Sequence, residues 1–347
     1  MEKYIIGPNM GKDGLFAGNK FPRDIITICQ QLGYRPVYVH EGYSRKRPWE
    51  YLVDYVHVQL LEKGSDVIFI DQVSPRKSRA MVYSVLNKKH CNIISLLEDV
   101  DPIRNDEMSG ERKKLEMQQL NTAKYLIAQN SKMSDYLHTH GVKTPSVELT
   151  ALDFLVPKIA DEKYEHQGKW TICYGGNLSM VQSGFLNTLQ IKDDDNLQFY
   201  VYGRGAAADN LPEHVIFKGS FSAEDCVGNL EGDWGLVWNG CSQNVDLNDS
   251  HSIYYNYVCP HKFSMYALCG MPVIVYSGGA MASFVKRKKC GITIDSLDQL
   301  PTKITAISEK EYMEYRHNIL KVAKKMAKGE YTKAAIKEIE QNIRAPR

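Results

Sequence analysis

Two cations stand where a strand-like run gives way to a turn or a helix start: Arg204 in Tyr202-Gly203-Arg204-Gly205, and Lys262 in Pro260-His261-Lys262. An arginine just past a strand end can grip a diphosphate through two parallel N–H···O bonds. A lysine beside the open N–H groups of a helix start makes a second phosphate site. Together they could neutralise charge growing on a departing diphosphate, a part that Mg²⁺ takes in some enzymes. Similar loops recur nearby, at Tyr174-Gly175-Gly176-Asn177-Leu178-Ser179, Phe217-Lys218-Gly219-Ser220, Trp238-Asn239-Gly240 and Ser277-Gly278-Gly279. Glycines there let a ligand come close to the backbone. Any parallel sheet needs such turns, and each cation alone also reads as a solvated turn residue.

Carboxylates gather at Leu97-Glu98-Asp99-Val100-Asp101-Pro102-Ile103-Arg104. At the end of a fourth strand they could take a proton from an acceptor hydroxyl, with Asp99 the first candidate and Glu98 and Asp101 behind it. Pairing with Arg104 is the plainer alternative. Two basic clusters, Arg45-Lys46-Arg47 and Arg76-Lys77-Ser78-Arg79, follow the second and third strands. They suit an anionic acceptor or a membrane surface, or else a solvated rim. No Asp-x-Asp motif lies in a site-like loop. Asp193-Asp194-Asp195 precedes a strand and reads as a solvated turn, so no metal site is expected. The loop Asn9-Met10-Gly11-Lys12-Asp13-Gly14 lacks the G-x-G-x-x-G spacing of a dinucleotide site.

The elements that must hold these residues alternate in type along the chain. Strands are expected at 3–6, 35–40, 66–71, 92–97 and 124–129, with helices at 21–32, 49–62, 77–89 and 111–122 between them. A second set of strands is expected near 169–174, 197–203, 214–218, 234–238, 272–276 and 291–294. Such alternation predicts parallel sheets covered by helices on both faces, with ligands beyond the carboxyl ends of the strands. Gly270 reads as the cap that ends the helix begun at His261, and Pro272 opens the next strand. The charged, unpatterned stretch 158–168 reads as a linker between domains 1–157 and 169–308, and the Lys- and Glu-rich remainder, 309–347, as C-terminal helices.

With 347 residues, 43% of them hydrophobic and 24% charged, the chain has room for two globular domains. A net charge of +2 argues against a nucleic-acid binder. The eight cysteines form no C-x-x-C pair and mostly sit in apolar runs, as reduced core residues of a cytosolic protein do. No run reaches membrane-spanning length, and a strand at the start leaves no room for a signal peptide, so any membrane contact is expected to be peripheral, at the inner face.

Residues 170–305 resemble bacterial transferases of the serine-rich-repeat adhesin glucosyltransferase type and their galactofuranosyltransferase relatives. The pieces that carry the likeness are Tyr174-Gly175-Gly176-Asn177-Leu178, Val201-Tyr202-Gly203-Arg204-Gly205, Gly232 to Trp238, Tyr257 to Tyr266 and Ala280 to Leu300. The first half matches more loosely, through Asp99 to Arg104, Ser131 to Leu137 and Ala151 to Leu155. The resemblance implies an α/β GT-B fold, two Rossmann-like domains facing a central cleft. It also implies a UDP-sugar donor held mainly by the C-terminal domain, with no cofactor and no obligatory metal.

Arg204 and Lys262 would then lie on the pyrophosphate and Phe217 to Gly219 near the uracil. The full donor-binding set is Gly14, Gly176, Asn177, Arg204, Phe217, Lys218, Gly219, Tyr257, His261, Lys262, Ser264, Gly278 and Gly279. The acceptor-binding set is Arg45, Arg47, Arg76 and Arg104. The chain departs from the likeness at Glu98-Asp99, where His-Asp is expected, and at Val258-Cys259, where relatives tend to carry asparagine. The first departure bears on the catalytic base and the second on donor preference.

The expected activity is transfer of a hexose, of glucose or galactofuranose type, to a carbohydrate hydroxyl of a glycan, glycoprotein or lipid-linked acceptor. Partner glycosyltransferases fit the same resemblance, and the amphipathic C-terminal helices could form the interface of a homo-oligomer. A non-catalytic, acceptor-binding subunit of similar fold is the alternative, disfavoured because a scaffold has no need of a pyrophosphate clamp. An NAD-dependent oxidoreductase is further disfavoured by the missing glycine fingerprint.

Overall fold

The first sheet consists of six parallel strands, β1 (Lys3–Pro8), β2 (Arg35–Val39), β3 (Asp66–Val73), β4 (Asn92–Val100), β5 (Tyr125–Ala128) and β6 (Ser146–Glu148), in the order β2-β1-β3-β4-β5-β6. The second is its counterpart: β7 (Trp170–Asn177), β8 (Leu197–Arg204), β9 (Val215–Gly219), β10 (Trp234–Val237), β11 (Val273–Tyr276) and β12 (Gly291–Ile294), in the order β12-β11-β10-β7-β8-β9, again parallel. The computed structural model describes residues 1–9, 17–40, 42–43, 46–105, 107–166, 168–190, 192 and 195–344. The side chains of residues 17–19, 250 and 251 are outside that description. So are Gly14, Arg45 and the pair Asp193-Asp194, whose expected roles rest on sequence alone.

Central strands such as β3 and β10 are buried along nearly their whole length, because helices cover both faces of a parallel sheet. In the first unit the early crossovers are α1 (Ala17–Gln31), α2 (Trp49–Gln59) and α3 (Lys77–Lys88). The second unit is built around Trp170, Tyr174, Phe185, Phe199, Trp234, Trp238 and Tyr312. All eight cysteines are free; six are buried, with Cys91 half-buried and Cys241 exposed.

The chain divides into two compact units, one running up to Thr150 and resuming at Tyr331, the other spanning Ala151–Glu330. Residues 151–157 therefore go with the second unit, where Phe154 N–H donates to Met326 O at 3.3 Å. The helices at 309–347 do not stay together. Helix Glu309–Met326 packs in the second unit, whereas the final helix, Glu330–Arg344, lies mostly in the first. There Ile336 and Ile339 are buried, and Glu340 accepts from Lys3 Nζ at 2.6 Å and from Tyr34 Oη at 2.9 Å. A single amphipathic stretch in the sequence thus serves two cores.

Two local features set up the sites. Strand β4 continues past Leu97 to Val100, because its pairing with β3 jumps from Asp71↔Leu97 to Gln72↔Asp99. Glu98 is the extra residue, and such a bulge re-aims the side chain that it carries. The second feature is helix His261–Leu268, which ends as the sequence predicts. Gly270 takes φ +69°, and its carbonyl accepts from buried Arg316 at 2.5 Å.

Candidate functional site

Lys262 lies in the first turn of helix His261–Leu268, beyond the carboxyl end of β7, and its side chain is buried. Its Nζ donates to Tyr174 Oη at 2.6 Å and to Trp238 O at 3.3 Å, and stands 4.0 Å from the Tyr174 ring centroid. The Tyr174 hydroxyl is held in turn by Ser183 Oγ at 2.8 Å, which donates to Asn177 O at 2.7 Å. The lysine runs across Gly176. A Cβ on that residue would lie 2.7 Å from Lys262 Cε, and its φ of +147° already excludes most side chains. The glycine required here is the one that gives the lysine its path.

Strand register ties the second cation to the same corner. Gly176 pairs with Gly203 and Asn177 with Arg204. Arg204 is exposed, and its Nε donates to Ser220 Oγ at 3.2 Å. Phe217 is 47% exposed on β9, one residue before Lys218. Gly219 pairs with Tyr202, leaving Lys218 as the irregular residue of that ladder. Lys218 Nζ lies 2.8 Å from Glu231 and 4.4 Å from the Tyr200 ring centroid.

Ser264, expected at the donor site, donates from its buried hydroxyl to Leu152 O at 2.8 Å and so anchors the helix to the 151–155 segment. Gly279 lines a small concavity at the ends of β10 and β11, with Trp238, Asn239, Ser252, Tyr255 and Pro260. Trp238 joins this concavity to the lysine corner. Gly278 adjoins it, packed against the Tyr276 ring, while Tyr257 is half-buried in the turn that leads to Pro260.

The first unit has its own small concavity at the carboxyl ends of β1 to β4. It is lined by His40, Gln72, Arg76 and Glu98 among others. Of the three expected carboxylates only Glu98 reaches it, with Oε2 accepting from Gln72 Nε2 at 3.2 Å and its carbonyl from Gln129 Nε2 at 2.6 Å. Asp99 and Asp101 both turn to Arg104, at 2.7 and 2.8 Å. Neither of them lines the concavity.

The expected acceptor cations separate in the same way. Arg76 lines the concavity, Arg104 holds the two aspartates, and Arg47 pairs with Glu50 at 3.0 Å. Arg79, from the same basic cluster as Arg76, is buried against Asp71 and Glu116. His40 is a residue that the sequence reading missed. Its Nδ1 lies 2.9 Å from Asp54, a buried carboxylate fourteen positions along the chain. The only sequence signal for it is a histidine at a strand end. Among the described residues, no cluster of three or more His, Cys, Asp or Glu side chains is arranged to hold a metal ion.

The N-terminal domain model of the glucosyltransferase 3-like family matches residues 3–151, and the C-terminal domain model matches residues 172–339. The chain belongs to the glucosyltransferase 3-like family. It is a GT-B glycosyltransferase. The chain is 22% identical over 254 residues to the β-1,6-galactofuranosyltransferase WbbI of Escherichia coli K12, covering 73% of this chain and 72% of that one. In fold it is similar to sucrose-phosphate synthase from Thermosynechococcus elongatus, with TM-score 0.66, 12% identity, and 99% and 98% of the two chains covered. It is also similar to Anabaena HepE in complex with UDP and glucose, with TM-score 0.62, 10% identity, and 99% and 100% covered.

Burial shapes the electrostatics of the glycosyltransferase's lysine corner. It pushes Lys262 down from its ordinary 10.5 to about 7, and the neighbouring His261 down to about 4. Because the folded Lys262 value lies below the unfolded one, the unfolded chain holds more protons between about pH 7 and 10.5, and stability rises with pH across that window. An arriving phosphate favours the charged lysine, so binding should recapture a proton. Pyrophosphate titrated by calorimetry at about pH 8, in two buffers of different ionisation enthalpy, is expected to show uptake of up to about one proton, and weaker affinity as pH rises. The Lys262→Met variant should show no uptake. Uptake that is the same in both proteins would remove Lys262 from the site.

Proposed function

We propose that the second unit binds a UDP-sugar through Arg204 and Lys262. The enzyme would then transfer a hexose, of glucose or galactofuranose type, to a carbohydrate hydroxyl of a glycan, glycoprotein or lipid-linked acceptor. The observation that carries the reading is Lys262: a buried lysine in the first turn of a helix, passing over Gly176 next to the strand that ends in Arg204. Burying an ammonium group is costly, and a site that receives a dianion offsets that cost when loaded. Exposed Arg204 supplies a forked cation at the edge of the same corner, and exposed Phe217 a flat apolar surface suited to a base. With two cations to stabilise the leaving diphosphate, the proposed transfer has no obligatory metal ion.

The acceptor side of the proposal is the concavity of the first unit, where Arg76 and Glu98 offer a cation and a carboxylate. The donor reading is tested by titrating UDP in EDTA into the wild-type enzyme and the Arg204→Ala variant. Charge-assisted hydrogen bonds to phosphate contribute about 1.5–3 kcal/mol each, so the variant should bind UDP on the order of tenfold or more weakly. Unchanged affinity in a folded Arg204→Ala protein, or wild-type binding that disappears in EDTA, would count against the assignment.

A further inference from the structure

Helix α2 is built inside out. Its two carboxylates point inward, with Glu50 4% and Asp54 1% exposed, while Trp49 at 58% and Leu52 at 62% face solvent alongside Val53 and Val56, with Leu60 at 75% just past the helix end. An ordinary surface helix does the reverse. The buried acids are held from within. Asp54 accepts from the His40 backbone N–H at 2.8 Å and from Tyr43 Oη at 3.0 Å, and Glu50 meets Arg47. The outer face of α2 therefore presents apolar surface without the negative charge that its sequence contains.

An open groove of about 760 Å³ runs between this helix and α3. Its aromatic wall is Tyr43, Tyr51 and Tyr55, with the first two rings edge to face at 5.2 Å. The charged residues lining it are both lysines, Lys77 and Lys88, exposed on α3. Exposed aliphatic side chains with Trp and Tyr at their border and lysines alongside make up the pattern of a surface that lies in the headgroup region of a bilayer. Among the described residues, no helix is long and apolar enough to cross a membrane.

We propose that the α2–α3 face of the first unit docks on an anionic bilayer, with Leu52, Val53 and Val56 entering the interface and Lys77 and Lys88 on lipid phosphates. Charge complementarity selects this occupant over a second copy of the chain. A two-fold contact through α2 would bring the lysines of both copies to one interface while the acids that could pair with them stay buried. Lipid phosphate supplies the missing negative charge. The surface is distinct from the Lys262 corner, so the proposal does not depend on which donor or acceptor is used.

The test is co-sedimentation of the full chain with vesicles of phosphatidylcholine alone and of equal parts phosphatidylcholine and phosphatidylglycerol. Binding is expected to the anionic vesicles, to weaken with salt, and to be at least about tenfold lower on the neutral ones. The Leu52→Glu/Val56→Glu double variant changes only exposed positions. It should keep the wild-type thermal midpoint and UDP affinity while losing the vesicles, and Lys77→Glu/Lys88→Glu should lose the anionic preference. No binding to either vesicle, or equal binding by Leu52→Glu/Val56→Glu, overturns the proposal. So does sedimentation showing a wild-type dimer that this double variant converts to monomer, which would assign the face to a second copy.

Discussion

Glu98→Gln is expected to lower turnover by about 10²–10⁴-fold while leaving UDP affinity near that of the wild type. A transfer that inverts the anomeric carbon needs a base to accept the proton of the attacking hydroxyl as the new bond forms. Of the three carboxylates at the end of β4, Glu98 is the one lining the first unit's concavity, and two glutamine side chains hold it in place. The amide keeps the shape and cannot take the proton. Asp99→Asn disturbs a pair with Arg104 rather than the concavity, and should cost much less. Steady-state rates with UDP titrations on the same preparations decide the matter. If Glu98→Gln retains more than about half of the wild-type rate and His40→Gln does not, the imidazole backed by Asp54 is the base. If neither variant slows, this concavity is not where the acceptor reacts.

The second large effect has opposite signs in two assays. Lys262→Met should weaken UDP binding on the order of 10–100-fold and, at neutral pH, raise the thermal midpoint of the free enzyme. A buried lysine shifted from 10.5 to about 7 opposes folding by a few kcal/mol, because a proton or its charge must be given up. Methionine fills similar volume without that cost, and loses only the contacts to Tyr174 and Trp238. The net gain should be on the order of 1–3 kcal/mol near pH 7 and shrink as pH rises toward about 10.5. A midpoint that falls at every pH would mean that Lys262 serves the fold rather than a ligand.

Much of this was legible in the residues, for reasons that differ from one place to another. Valine and isoleucine runs bounded by glycine mark buried parallel strands wherever they fall, so β3 and β11 could be placed closely. The loops beyond strands could be found because their positions follow from strand ends. That the Lys262 chain would cross Gly176 could not, since it depends on a helix and a strand far apart in sequence. Ser264 looked like a site residue through its place beside Lys262, yet the helix turns it toward Leu152. The sorting of Glu98 from Asp99 and Asp101 depends on a one-residue slip between β3 and β4, which neither strand encodes by itself. His40 and Asp54 meet only because β2 and α2 pack together, and the same packing hides the inverted face of α2 in an unremarkable sequence.

The last helix has a consequence for how the molecule is made. The ribosome delivers the first unit's six strands before residue 151, but helix Glu330–Arg344, whose Glu340 answers Lys3 and Tyr34, is made only after the 151–330 segment of the second unit. Until that helix emerges the apolar surface that Ile336 and Ile339 cover is bare, so the unit begun first waits for a segment made after the core of the other. The second unit can close its core while still tethered. A premature stop near residue 330 would thus spare the second unit and leave the first unfinished.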